Sequence, residues 1–134
     1  MFEKDKIYHR QSELHDKYGG NRQSGISTCA NENIVFLFTS PAGKEHGYED
    51  YWIDEQTFQY TGEGQYGDME LIRGNLAIKK HQSRGKRLLL FEKVKNGFYK
   101  FLGEFEYQKH QIVEGVDSDQ QIRRIIIFTL RLIS

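Results

Sequence analysis

The C-terminal third of the chain most constrains what it can fold into. Three runs rich in β-branched and aromatic residues follow one another: "RLLLFEKV" (87–94), "GFYKFLGEFEYQ" (97–108) and "RRIIIFTLRLI" (123–133). Asn96-Gly97 separates the first two, and this dipeptide tolerates the left-handed backbone of a tight hairpin turn. Three such runs with short links commit the chain to an antiparallel sheet. Upstream, "NIVFLFTS" (33–40) is apolar throughout, of strand length, and closed by Pro41. "TFQYTG" (57–62) reads as a further short strand, and "NRQSGISTCANEN" (21–33) as a loop holding a short strand.

Two stretches have helical character. "RQSELHDKY" (10–18) ends at Gly19-Gly20, a pair suited to a helix C-terminus. Between Asp68 and His81, Met69, Leu71, Ile72, Leu76 and Ile78 fall at mixed helical spacing, with Asp68 as N-cap and Gly85 as stop, although Gly74 and Asn75 weaken the middle. The expected fold class is α+β: a curved, mostly antiparallel sheet or small β-barrel with two flanking helices. The expected core includes Phe36, Phe38, Leu88, Leu90, Phe101, Ile125, Ile127 and Leu130, with Trp52 as a packing anchor.

A length of 134 residues suits one domain, taken as 1–134, with a core large enough to need no disulfide. Cys29 is the single cysteine, no apolar run approaches the roughly 18 residues of a membrane span, and "MFEKDKIYHRQ" is charged where a signal peptide is apolar. The expected setting is cytoplasmic, without membrane contact. Nineteen basic residues balance nineteen acidic ones, which disfavours a general polyanion binder. The charge is nevertheless segregated. Residues 45–70 hold eight acids and no Lys or Arg, whereas 71–100 hold nine Lys or Arg and one acid, Glu92. Two readings fit: solvated surface, or a basic face for phosphates beside an acid-edged pocket.

Catalysis finds little support. The histidines, His9, His15, His46, His81 and His110, have no zinc-site spacing and are expected mostly at the surface; one cysteine cannot build a cluster. No phosphate-binding loop or nucleophile elbow is present. Adjacent acids such as Glu49 and Asp50 are more often solvated than catalytic, and Cys29 has no evident base. The reading is a binding domain, without catalytic residues, metal or cofactor.

Gly47-Tyr48-Glu49-Asp50, then Tyr60-Thr61-Gly62 twelve residues on from the first tyrosine, then Gly74-Asn75-Leu76-Ala77, form an ordered series. It resembles the SRA (SET- and RING-associated, or YDG) domain, a reader of modified cytosine in DNA. Gln23-Ser24-Gly25-Ile26 resembles the family's loop ending in Ala-Gly-Ile, and "YKFLGEFEY" its later Tyr-rich strand. The resemblance runs from about residue 18 to 107. The bacterial style of "YGGNRQSGI", "GYEDYW" and "YTGEGQYGDM" is similar to SRA domains joined to HNH modules in modification-dependent restriction endonucleases.

The resemblance implies a PUA-like, SRA-like barrel that flips a 5-modified cytosine, 5-methyl or 5-hydroxymethyl, out of duplex DNA. Tyr48 and Tyr60 would stack on the base. Gly47, Glu49, Asp50, Thr61, Gly62 and Glu63 would line its edge. The family's cytosine-reading aspartate lies three positions after the first tyrosine, where this chain has Tyr51; Asp50, one earlier, takes the role, ahead of Asp54. His46 and Glu63 stand where the family has smaller residues, which leaves a larger or more polar modification open. Arg22, Gln23 and Ser24 would enter the duplex, and the second inserting loop, after Gly64, is short. Arg73, Asn75, Lys79, Lys80, Arg84, Lys86 and Arg87 would meet phosphates. The implied partners are double-stranded DNA with modified cytosine, a covalently linked HNH nuclease domain absent from this chain, and a second copy through that domain. Two alternatives share the same features: a PUA-like barrel that binds RNA or single strands, and a small hydrolase or ligand-binding barrel using Glu49, Asp50 or Glu63.

Overall fold

The computed structural model describes residues 1–40 and 49–134. Among these residues, eight strands form one sheet: β1 (Ile7–His9), β2 (Ile26–Thr28), β3 (Ile34–Thr39), β4 (Tyr51–Trp52), β5 (Thr57–Thr61), β6 (Arg87–Lys95), β7 (Phe98–Val116) and β8 (Ile122–Leu132). Their order is β2-β3-β6-β7-β8-β5-β4, with β1 also paired to β7. Every pairing is antiparallel except β3 with β6, which run parallel. The link between β6 and β7 is Asn96-Gly97, and Gly97 carries the positive φ that the turn requires.

The uniform apolarity of "NIVFLFTS" now has a cause. Val35 and Leu37 face one core cluster, with Phe58, Leu88, Leu90, Phe105 and Phe128. Ile34, Phe36 and Phe38 face the other, with Tyr8, Leu14, Leu89, Phe91 and Phe101. A strand buried on both faces cannot alternate with polar residues. One flanking helix covers each face. A wide π-type helix (Arg10–His15) runs into α1 (Asp16–Tyr18), and its Leu14 enters the second cluster. The helix α2 (Arg73–Lys79) sets Ala77 and Ile78 on the first. All eight expected core residues are buried. Trp52 is 38% exposed, its ring edge-on to Phe58 at 5.3 Å between centroids.

Three expectations need correction. The sheet is not a closed barrel, because no ladder among the described residues joins β2 to β4. Side-chain bonding takes over near that opening: the Tyr60 hydroxyl of β5 lies 3.0 Å from the carbonyl oxygens of both Gly25 and Phe38 and donates its hydrogen to them. The second helix is also shorter than 68–81. Asp68 does not cap it; its Oδ1 accepts from the Arg124 amide at 2.7 Å and ties the preceding loop to β8. Of the histidines, His15 and His81 are buried rather than superficial, since each ring is bonded inside the fold.

The two-faced burial makes a direct prediction. Phe36→Ala, at a fully buried site, should lower unfolding free energy by about 3–5 kcal/mol, whereas Trp52→Ala at the exposed edge should cost clearly less. Urea denaturation of both variants checks the ranking.

Candidate functional site

The sheet is organised on one side around a close approach between β5 and α2. Gly62 follows β5, and its amide donates to the Ile126 carbonyl at 2.8 Å. A Cβ there would lie 2.8 Å from Asn75 Oδ1, so only glycine fits. Asn75 is 2% exposed and acts as a surrogate strand: Oδ1 accepts from the Glu63 amide at 2.8 Å, while Nδ2 donates to the Glu63 and Glu70 carbonyls at 3.0 Å each. In return, the Glu63 carboxylate accepts from the Gly74 amide at 2.9 Å. It lies so close that a Cβ at Gly74 would meet it at 2.5 Å. The Tyr-Thr-Gly-Glu and Gly-Asn segments therefore lock each other. Burial pushes the Glu63 carboxyl above the usual range, opposed by the Gly74 amide and the Arg73 charge.

This lock forms one wall of an open cleft of about 690 Å³. The opposite wall is the turn from Asn21 to Ile26 with the end of β3, Phe38 to Ser40. Asp50 stands between them. Its Oδ1 accepts from the Thr61 amide and its Oδ2 from the Thr39 hydroxyl, both at 2.7 Å. The outer rim is the 64–70 loop, which carries Tyr66, 63% exposed. That loop is pinned at several points. Arg123 donates to the Gly64 and Gly67 carbonyls, Asp117 accepts from the Gly67 amide, and the Met69 amide donates to the Arg124 carbonyl at 3.0 Å. Asp117 is held below the usual carboxylate range by the amides of Gly67, Gln121 and Asp119.

The sequence-predicted residues divide into those the cleft gathers and those it does not. Gln23, Ser24, Asp50, Tyr60, Thr61, Gly62, Glu63, Arg73 and Asn75 all line it. Tyr60 is 3% exposed, so its ring belongs to the wall and presents only a sliver of surface to the cleft; burial, with Asp50 nearby, raises its phenol well above the ordinary value. Gly47 and Tyr48, with His46, lie outside the described residues. Arg22 is exposed beside the cleft, its guanidinium 3.3 Å from Gln11. Glu49 is exposed and does not line the cleft; its carbonyl takes the Gln59 amide. Asp54 lies away from it, folded onto the turn at Gln56.

Three expected phosphate contacts have other occupations. The amide of Asn75 is consumed inside the lock, as above. Lys86 Nζ donates to the carbonyls of Cys29, at 2.8 Å, and Glu32. Arg87 pairs with Glu104 at 2.8 Å. Arg73, Lys79, Lys80 and Arg84 are exposed. Arg73 alone of these four lines the cleft, and it holds a left-handed φ of 46°, costly for a residue with a Cβ. The reading from sequence passed over Tyr66, Asp68, Glu70, Asp117 and Arg123. An aromatic bracketed by Gly64 and Gly67 was a usable signal; Asp117 and Arg123 had none, because their partners lie some fifty residues distant. No group of three or more metal-binding side chains occurs among the described residues, and no helix there is long and apolar enough to cross a membrane.

A mostly antiparallel sheet, open among the described residues, with a helix on each face is the arrangement of the SRA fold. The same fold is seen in a structure of the sulfur binding domain and SRA domain of ScoMcrA complexed with phosphorothioated DNA, with 25% identity, a TM-score of 0.77, and coverage of 99% of this chain and 40% of that one. It is seen in the SRA domain of SUVH5 with hemimethylated CG DNA (23%, TM-score 0.69, 97% and 87%). It is also seen in the DNA modification-dependent restriction endonuclease AspBHI (15%, TM-score 0.74, 98% and 42%). A family profile described as "ScoMcrA-like, SRA domain" matches residues 4–134, and the chain belongs to that family. It spans 28% of the Type IV phosphorothioation-dependent restriction endonuclease ScoMcrA. No curated protein matches the chain.

The lock is testable on the domain alone. Gly62→Ala and Asn75→Ala should each cost about 1–3 kcal/mol, the first by collision and the second by stranding the Glu63 backbone. Asn75→Asp, which keeps the acceptor but turns a buried carboxylate toward the Glu63 and Glu70 carbonyls, should be at least as destabilising as Asn75→Ala in thermal denaturation near neutral pH.

Proposed function

We propose that the cleft receives a single 5-modified cytosine, 5-methyl or 5-hydroxymethyl, flipped out of duplex DNA. The observation that carries this reading is the convergence of Gln23, Asp50, Thr61 and Glu63 on one cleft from three separate segments, Thr61 and Glu63 sharing one. Among its described lining, four carboxylates (Asp50, Glu63, Asp68 and Glu70) face one cation, Arg73. Such a lining suits a neutral group that presents an N–H donor, as the N4 amino group of cytosine does, and disfavours an anionic phosphate or phosphorothioate. The ScoMcrA relative is described with a sulfur binding domain separate from its SRA domain, and the SUVH5 relative in complex with hemimethylated DNA. Both support a DNA ligand here, and the first agrees with assigning the sulfur elsewhere.

In this mechanism Asp50 accepts from the cytosine N4 amino group. The Thr61 amide and the Thr39 hydroxyl hold the Asp50 carboxylate in place for that contact. Tyr60 and Tyr48 clamp the ring, and Tyr60 must turn more of its face to the cleft than it now shows. Flipping costs a few kcal/mol, and stacking returns roughly 1–3 kcal/mol per base. Gln23, on the exposed tip of its turn, fills the vacated position in the duplex and bonds to the orphan guanine; Arg22, Arg73, Lys79, Lys80 and Arg84 meet phosphates. A buried methyl is worth about 0.8 kcal/mol, roughly fourfold in affinity, so strong discrimination calls for two such domains on one assembly. The domain thus serves as the recognition part of a modification-dependent restriction endonuclease, joined to an HNH nuclease that dimerises.

Binding of duplexes carrying one 5-methylcytosine, one 5-hydroxymethylcytosine, one phosphorothioate or none tests the reading. Wild type should prefer a modified-cytosine duplex. Asp50→Asn should lose roughly tenfold or more against it, and Tyr48→Ala should lose the preference. Equal affinity of wild type for all four, or unaltered binding by both variants, sinks the base pocket; strong competition by unmodified single-stranded RNA would favour the alternative barrel.

A further inference from the structure

The Asn21–Ser24 turn is held from beneath by one buried guanidinium. Arg10, at the start of the π-type helix, is 8% exposed. Its Nη2 donates to the carbonyls at both ends of the turn, Asn21 at 2.9 Å and Ser24 at 2.7 Å. Its Cζ lies 3.6 Å from the centre of the Phe38 ring. Its Nε donates to His15 Nε2 at 2.8 Å. Because the guanidinium can only donate, Nε2 must be unprotonated. The other ring nitrogen, Nδ1, then donates to the Gly19 carbonyl at 2.8 Å, which fixes the neutral tautomer. The Asn21 side chain completes the turn, accepting from the Gln23 and Ser24 amides. Gln23 is left outermost on a backbone with little freedom.

We propose that Arg10 is the positioning residue of the Asn21–Ser24 turn, and that the neutral His15 ring is what keeps Arg10 in place, so that protonating His15 releases the turn. A second proton on His15 would set N–H against N–H and two positive charges in contact. The charged and titratable groups around the pair are Asp16 beside His15, Arg22 on the turn, and the Tyr60 and Tyr99 phenols facing Arg10. The rings packed on His15 from β3, Phe36 and Phe38, carry no charge to offset the proton. Burial holds His15 below the ordinary value of 6.5, with Arg10 and Arg22 in the same direction and the Gly19 carbonyl and Asp16 opposing. The unfolded chain therefore takes up this proton first. The contribution of neutral His15 to stability is complete above the unfolded value and declines as pH falls through and below it.

This inference rests on the base-reading proposal only for its use in DNA binding; the turn itself can be followed without DNA. Amide spectra of isotope-labelled protein across about pH 7.5 to 5 should show residues 22–24 shifting with His15 in wild type. They should stay fixed in His15→Gln, which supplies the same acceptor and donor without titrating and so also removes Asp50 and Glu63 as the source. Arg10→Lys, which retains the charge but not the fork, should give faster amide exchange in the turn. Turn amides that ignore pH in wild type, or that shift equally in His15→Gln, overturn the proposal, as does unchanged exchange in Arg10→Lys. In parallel, affinity for a duplex with one 5-hydroxymethylcytosine should fall roughly tenfold over the same range in wild type and stay level in His15→Gln. If the turn responds as stated while no duplex binds at any pH, the keeper role stands and the base-reading proposal fails.

Discussion

The hydroxyl of Tyr60 lies where the structure depends most on a single polar contact. Among the described residues the sheet runs from β2 to β4 without closing, and the cleft is lined by residues on both sides of that gap. One phenol reaches from β5 to the Gly25 and Phe38 carbonyls, and the Phe38 amide returns a bond to the Gly25 carbonyl at 2.8 Å. A free gap would strand buried carbonyls. A side-chain tie satisfies those groups while leaving an opening beside them.

The second organising contact is the reciprocal lock of Glu63 with Gly74 and Asn75. It gives a physical reason for two glycines of the motif series. Gly62 makes room for an amide, and Gly74 makes room for a carboxylate. The same lock accounts for a buried Asn in a helix too short to stabilise itself by propensity: α2 has seven residues, and packing with backbone bonds to the preceding loop holds it.

Much of this was legible in the chain because it is local. The β6–β7 hairpin follows from Asn96-Gly97 and its flanking runs, and the buried β3 from an apolar stretch of strand length. The gathering of Gln23, Asp50, Tyr60, Thr61 and Asn75 followed from motif resemblance, which places residues together without saying how each is used. The internal bonds of each residue were less legible. Lys86 and Arg87 look like free cations in a basic run, yet carbonyls of the 29–32 turn and Glu104 claim them. Asn75 reads as a polar contact and is an internal brace. Arg10 has an unremarkable place in a short helix, and only the return of the chain to Asn21 and Ser24 shows its work. Pairings of side chains with distant backbone leave no periodic trace in sequence.

The pinning of the 64–70 loop by Asp117 and Arg123 has a kinetic corollary. Those contacts join positions 50 to 59 residues apart, and the β3–β6 ladder likewise closes a long excursion. Closing such long loops costs entropy that local hairpins do not, and non-local contacts of this kind slow folding. A partly folded chain that has its hairpins but not these contacts has no place to hold a ligand.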